Sequence, residues 1–389
     1  MMNSLLERFF PSKPRIRPLV PGVYHSMVAE EDAAPYRLHL RIEADEQAVL
    51  IVNAATILHL NATAALHALA IVQGKSIDEA VNVVTDHYNV SKQQAREDQL
   101  ALREQILTIA TQPDIDPVLY FDLNRSDPLS VPPSAPYRAD LALTYRLDEE
   151  GTLDPLAGKR VDRELSTGEW KSILAKLWEV GVPHVTFTGG EPSLHPDLAA
   201  LIAHAEALGQ VTGLLTNGLR FSDPAYVDKL SNAGLDHILL TWNPDDPGFK
   251  AKLENALDSD IFTAVHLTLT QDNLASAQAF LQTCTGMELT TISLSIADHS
   301  DALKAALQEL RDLAAELGLD LIWDLPAPYS ASNPISLELE EAPQGAGRAW
   351  LYIEPDGDIL PAQGINQVLG NLLSDSWEAV WQRAGEAAA

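Results

Sequence analysis

The chain is 389 residues long, carries 55 acidic against 26 basic residues for a net charge of −29, and is 46% hydrophobic. That length accommodates two or three domains with cores of their own, and so acidic a chain repels phosphate backbones, which excludes nucleic acid as a partner. The single cysteine, Cys284, excludes an intrachain disulfide and suits a cytoplasmic protein, and no stretch is long and apolar enough for a signal peptide or a membrane span, so no membrane partner is expected.

Residues 1–111 read as one unit. Residues 36–43 alternate apolar and polar with the period of a half-buried strand, 44–47 supply turn residues, and 48–53 return as a second strand. A short third strand, 56–60, runs into Asn61, an N-cap for a helix over 62–72. Gly74 stops that helix, and Ser76 with Glu79 forms the capping box of the next, which runs to His87. Ser91 opens a third helix ending near Thr111. A hairpin followed by three helices predicts a winged-helix arrangement. Its third helix mixes Asp98 and Glu104 with Lys92, Arg96 and Arg103, so it offers no basic face to DNA.

The runs 57–65, 74–80 and 87–90 resemble PqqD, which typifies the RiPP recognition element, a domain that binds the leader of a ribosomally made peptide. The resemblance implies that a precursor or leader peptide adds as a strand to the sheet edge beside the last helix. Unpaired backbone groups at such an edge provide affinity, and neighbouring side-chain pockets provide selectivity. Thr56, Leu58 and Leu60, on the strand before the first helix, are expected to meet the peptide.

Residues 112–136 hold Pro113, Pro117, Pro128, Pro132, Pro133 and Pro136, a density that forbids a long helix and predicts a linker. Over 137–326 strands alternate with helices, which predicts an α/β parallel sheet with right-handed crossovers. The strands are expected over 141–146, 184–187, 212–218, 236–242, 262–269 and 290–296, with a capped helix starting at Ser166 and others over 198–208, 275–283 and 302–317. The second strand ends in Gly189-Gly190-Glu191-Pro192, which puts a carboxylate at the mouth of the sheet, where open α/β sheets bind ligands. A plain turn in which Glu191 caps the following helix is the alternative.

This turn resembles the GGEP motif of the radical SAM superfamily. The resemblance implies a partial (β/α)6 barrel in which Gly189, Gly190, Glu191 and Pro192 hold the amino group of S-adenosylmethionine. The superfamily's Cys-x3-Cys-x2-Cys loop, which follows the first strand and holds a [4Fe–4S] cluster, falls here on Leu147, Gly151 and Asp154. The spacing is kept and every thiolate is gone, whereas such a cluster needs thiolate ligands. No cofactor is therefore expected: no iron–sulfur cluster, and S-adenosylmethionine bound weakly or not at all without the cluster that chelates it.

Residues 345–362 form a hairpin around a Pro-Asp-Gly turn, and with 369–372 and 377–381 they resemble the start of a SPASM domain. Gln344 and Ala362 stand where that domain has cysteines. His195, His204, Asp298 and His299 form no tight ligand pair, so no metal site is expected. The fold class is thus α/β: a partial (β/α)6 radical SAM-like barrel over 137–326, an N-terminal winged-helix PqqD-like domain and a C-terminal SPASM-like remnant over 327–389. The leading functional reading is a non-catalytic radical SAM homologue that binds a leader peptide, an active radical SAM enzyme, or both. A cluster-independent enzyme using S-adenosylmethionine or a related nucleotide, and a purely structural assembly subunit, are the rivals.

Overall fold

The computed structural model describes residues 19–30, 33–112, 133–154, 157–284, 286–298, 300–321 and 345–387. Most of the proline-rich 112–136 segment, together with His299 and Gln344, lies outside the described residues. The chain divides into two units, Met1–Ser134 and Ala135–Ala389.

In the first unit four strands, β1 (Gly22–Glu30), β2 (Ala33–Ile42), β3 (Ala48–Val52) and β4 (Thr56–Leu60), form an antiparallel meander in chain order. Sequence reasoning did not anticipate β1, because 22–30 lacks a clean apolar–polar alternation. Its register nevertheless sets Ser26 opposite Leu38 and Val28 opposite Tyr36. Three helices follow, α1 (Ala62–Val72), α2 (Ile77–His87) and α3 (Lys92–Thr111). Each begins at a polar cap: the side chains of Asn61, Ser76 and Ser91 accept from the backbone N–H of Ala64, Glu79 and Gln94. Such a cap is worth about 1 kcal/mol. The core joins Leu38, Leu40, Ile42, Leu50 and Val52 of the sheet to Leu66, Val81 and Ile106 of the helices.

In the second unit strands and helices alternate: β5 (Arg138–Thr144), α4 (Thr167–Glu179), β6 (His184–Gly189), α5 (Leu198–Leu208), β7 (Val211–Thr216), α6 (Pro224–Asn232), β8 (His237–Thr241), α7 (Phe249–Leu257), β9 (Phe262–Leu269), α8 (Leu274–Cys284), β10 (Thr291–Ile296), α9 (Asp301–Glu316) and β11 (Asp320–Leu321). Neighbouring strands from β5 to β11 pair in parallel and in sequence order. Beyond the other side of β5 come β12 (Trp350–Ile353), β13 (Asp358–Leu360) and β14 (Gly370–Asn371), and the described chain closes with α10 (Trp377–Ala387). Sequence reasoning sets this tail apart as a separate piece. In the structure β12 pairs in parallel with β5, Leu351 beside Ala139, so the tail continues the barrel's own sheet. The physical reason is that β5 would otherwise expose a row of unpaired backbone groups.

The two faces of this sheet differ sharply. Leu141, Leu143, Phe187, Leu214, Leu240, Leu267 and Leu294 pack on helix residues such as Trp170, Ile173 and Leu177. The alternate positions carry polar groups, among them a buried Arg138–Asp140 ion pair at 2.8 Å and the buried Thr186, Thr188, His266 and Ser293. Among the described residues no helix is long and apolar enough to cross a membrane.

The start of α4 gives a test of the local electrostatics. Glu169 closes the capping box with Ser166 and accepts two bonds from Arg163, at 3.0 and 2.8 Å. These bonds, Arg163 foremost, hold its carboxyl at about 2, below the ordinary 4.5. The folded state then binds fewer protons than the unfolded one, so this contribution is complete above pH 4.5 and is lost as pH falls toward 2. The urea midpoints of wild type and Glu169→Gln should differ most near neutral pH, with wild type the more stable, and should converge as the solution is acidified below about 4.5. A gap independent of pH would contradict this.

Candidate functional site

The sequence-predicted turn sits at the C-terminal end of β6, and its groups are turned inward. Glu191 is 0% exposed. Its carboxylate accepts from Ser193 N at 2.9 Å, Thr216 Oγ1 at 2.7 Å and Asn217 N at 2.8 Å. Its own N–H donates to the carbonyl of Arg146, and Gly190 N–H to the carbonyl of Thr144, each at 2.7 Å. One residue therefore ties the ends of β5, β6 and β7 together. Both glycines are required by this close approach. A Cβ at Gly189, which has φ +129°, would stand 2.2 Å from Thr144 O, and one at Gly190 would stand 2.2 Å from Arg146 O. Pro192, buried, opens the short 3-10 turn Pro192–Leu194.

The loop carrying Leu147, Gly151 and Asp154 is a closed hairpin. Arg146 bridges Leu153, Leu147 N–H donates to Thr152 O at 2.8 Å, and Asp154 N–H donates to Tyr145 O at 2.9 Å. Gly151 takes φ +83° at the tip, and Asp148 Oδ1 accepts from Thr152 N at 2.8 Å. Asp154 is buried, its Oδ1 accepting from Ala157 N at 2.7 Å. Leu147 and Leu153 are 36% and 51% exposed. Arg146 reaches from the loop to Glu164 at 3.5 Å and to the carbonyl of Leu194 on the neighbouring turn at 3.4 Å. Thr144 Oγ1 donates to the same Glu164. The loop is anchored to the residue after β12 as well: Tyr145 OH donates to the buried Glu354 at 2.9 Å, and Arg160 pairs with Glu354 at 2.9 Å.

His195 is buried near this mouth, and desolvation lowers its pKa in spite of Asp197 and Glu164 nearby. Cys284 lies in the core between sheet and helices with its thiol donating to Phe280 O; burial pushes it up to about 11, which makes it inert. Among the described residues no three His, Cys, Asp or Glu side chains are grouped as metal ligands. Sequence reasoning missed His266, whose Nδ1 lies 2.9 Å from Ser293 Oγ and whose Nε2 lies 3.1 Å from Ser295 Oγ. Burial lowers this imidazole to about 4, so it is neutral. The readable signal was the period-2 run of polar residues on β9 and β10, His266 and Thr268 facing Ser293 and Ser295.

In the first unit Thr56, Leu58 and Leu60 lie on β4, one edge of the sheet, with Leu60 8% exposed. A cavity lies at the opposite edge of the sheet. It measures about 280 Å³ and is bounded by β1, the neighbouring Tyr36, the end of α1 and the Arg103 and Ile106 side chains of α3. Met27 on β1 is 53% exposed, and among the described strands β1 pairs only with β2.

A parallel sheet of six βα units with a Gly-Gly-Glu-Pro turn after its second strand defines a radical SAM fold. The profile of the Radical SAM superfamily matches residues 148–258. The PqqA peptide cyclase of Xanthomonas oryzae pv. oryzae (strain MAFF 311018) is 26% identical over 293 residues, 67% of this chain and 75% of that protein. The PqqA peptide cyclase of Xanthomonas campestris pv. campestris (strain B100) is 38% identical over 120 residues, 31% of this chain and 30% of that one. Streptococcus suis SuiB bound to S-adenosylmethionine superposes with a TM-score of 0.61 at 16% identity, covering 94% of this chain and 90% of SuiB. SuiB bound to its precursor peptide SuiA superposes with the same score at 17% identity, covering 90% and 89%. The chain thus carries a radical SAM domain and is homologous to the PqqA peptide cyclases.

The expectation that no cofactor belongs to this protein is corrected by these findings: the domain is that of the radical SAM superfamily, and SuiB, of the same fold, holds S-adenosylmethionine. The chain's own residues fit the two groups of that chemistry unequally. Leu147, Gly151 and Asp154 offer no thiolate, and the Asp154 carboxylate is committed to Ala157, so these residues do not fit a thiolate-bound cluster. S-adenosylmethionine would have to be met by backbone groups of the turn, because the Glu191 carboxylate is used within the fold.

Glu191→Ala would strand three donors in a dry site. Each costs about 1–3 kcal/mol, so the variant should lose at least about 3 kcal/mol in urea unfolding. Gly190→Ala should be destabilised as well, by overpacking of about 1–3 kcal/mol or more. A Glu191→Ala protein as stable as wild type would show that the carboxylate does not hold the strand ends together.

Proposed function

We propose that this protein is a non-catalytic relative of the radical SAM peptide-modifying enzymes, and that it binds the leader of a ribosomally made precursor peptide and presents that peptide to a catalytic partner. The N-terminal unit acts as the PqqD-like receptor, and residues 345–387 are what remains of a SPASM-like extension. The observation that carries the reading is the cavity of about 280 Å³ at the β1 edge beside α3, which gives an added strand both backbone partners and side-chain room. It favours β1 over Thr56, Leu58 and Leu60 of β4 as the docking edge. Homology to the PqqA peptide cyclases and the SuiB–SuiA complex support a peptide as the ligand. The non-catalytic half of the proposal draws on the closed hairpin at Leu147, Gly151 and Asp154, which supplies no thiolate for radical generation.

Amide hydrogen exchange of the full chain, with and without a ribosomal precursor peptide selected for binding to it, tests the docking edge. Protection should appear in Gly22–Glu30; protection confined to Thr56–Leu60 or to the barrel would refute the proposed edge. The same mixture, supplied with S-adenosylmethionine and a strong reductant, should leave the peptide's mass unchanged. Stoichiometric formation of 5′-deoxyadenosine would overturn the non-catalytic reading.

A further inference from the structure

We propose that the face of the β1–β4 sheet turned away from the helices docks residues 113–132 of this chain, whose aspartates meet Arg37 and Arg41 and whose apolar run covers Val49 and Ile51. One face of the sheet, with Leu38, Leu40, Leu50 and Val52, packs on the helices. The alternate positions form the other face, where His39 and Arg41 of β2 stand beside Ile51 and Val49 of β3. The alternation along β2 is that of a strand with one wet face, yet His39, Arg41, Val49 and Ile51 are all buried, Arg41 to 2% exposure. Val49 and Ile51 take no part in the core shared with the helices, so another group covers them. The cover is narrow: His25 and Met27 on β1 and His59 on β4 are exposed on either side of it. A band two strands wide, roughly 10 Å at about 4.8 Å per strand, is the footprint of one chain segment laid along the strands.

The ends of the segment fix its route. At one end Asn53 Nδ2 donates to Ala110 O at 3.3 Å while Asn53 Oδ1 accepts from Arg37 N at 2.9 Å, which sets the close of α3 beside Arg37. At the other, Ser134 Oγ donates to Glu43 Oε1 at 2.5 Å, just past the last residue of β2. The chain between must therefore travel the length of β2 from Arg37 to Glu43, roughly 20 Å at about 3.3 Å per residue. The helices occupy one face, so the shortest route crosses the buried band. The segment's residues suit that route. Val118, Leu119, Tyr120 and Phe121 supply an apolar run, flanked by Asp116 and Asp122, and Asp114 and Asp127 add to an acidic excess over Arg125. A guanidinium buried as deeply as that of Arg41 is costly unless carboxylates or carbonyls meet it. Residues 1–18 carry the wrong charge for this, with Arg8, Lys13, Arg15 and Arg17 against Glu7. The dock leaves the β1 edge free and does not depend on what binds there.

Histidine modification by diethyl pyrocarbonate, mapped by mass spectrometry on the full chain, tests the dock. His39 reports on the covered band, the exposed His59 on the same face is the reactive reference, and His67, buried on α1 beside Gln99, reports on folding. Wild type should be modified at His59 and spared at His39. Val118→Ser/Leu119→Ser/Tyr120→Ser/Phe121→Ser should raise His39 modification by about tenfold or more while His67 stays protected. Asp116→Asn/Asp122→Asn should raise it less, and no rise there overturns the ion pairing. His39 reactive in wild type, or still protected in the serine variant, overturns the dock. If His67 is modified as well, the variant has lost its fold and photocrosslinking decides. The full chain with p-benzoylphenylalanine in place of Tyr120 should crosslink to β2 or β3. Crosslinks confined to any other part of the chain, or to a second copy of it, overturn the dock.

Discussion

The second unit depends on the buried Glu191 carboxylate. Its three bonds, to Ser193, Thr216 and Asn217, and the backbone bonds from Gly190 and Glu191 to Thr144 and Arg146 join the C-terminal ends of three adjacent strands. Parallel strands pair through long crossovers, and their C-terminal ends would otherwise present unpaired donors at the mouth. A charged acceptor without exposure to water is costly unless saturated, and here it is saturated. A turn that sequence motifs associate with ligand binding is thus, in its side chain, a structural clamp.

The loop above that clamp follows the same logic. With no thiolate to order it, the segment from Tyr145 to Asp154 orders itself through cross-hairpin bonds, a positive-φ Gly151 and an Asp154 side chain turned onto Ala157. Arg146 ties it to Glu164 and to Leu194, while Tyr145 and Arg160 converge on Glu354, just after β12. Tension between the family's chemistry and this chain's residues is localised here. The domain and its relatives point to S-adenosylmethionine and radical chemistry, and the loop holds none of the ligands that chemistry uses.

The first unit is closed by local chemistry of the same kind. Its three helices are capped by Asn61, Ser76 and Ser91, and its sheet and helices share an apolar core. A cavity lies at its β1 edge, away from β4.

The alternating polar and apolar residues of β2, the caps at Asn61, Ser76, Ser91 and Ser166, and the strand–helix alternation after residue 137 were all legible in the sequence, because each follows from local backbone chemistry and periodicity. So was the missing thiolate set, since it needs only residue identity and spacing. β1 was not legible, because Val23 to Ala29 is stabilised by pairing with a partner strand rather than by a pattern of its own. The parallel pairing of β12 with β5 joins residues more than two hundred positions apart, and no local signal encodes it. Whether Glu191 faces a ligand or the fold depends on which atoms surround its side chain. Only tertiary packing decides that, since hydrogen-bond satisfaction is a property of the neighbourhood and not of the residue.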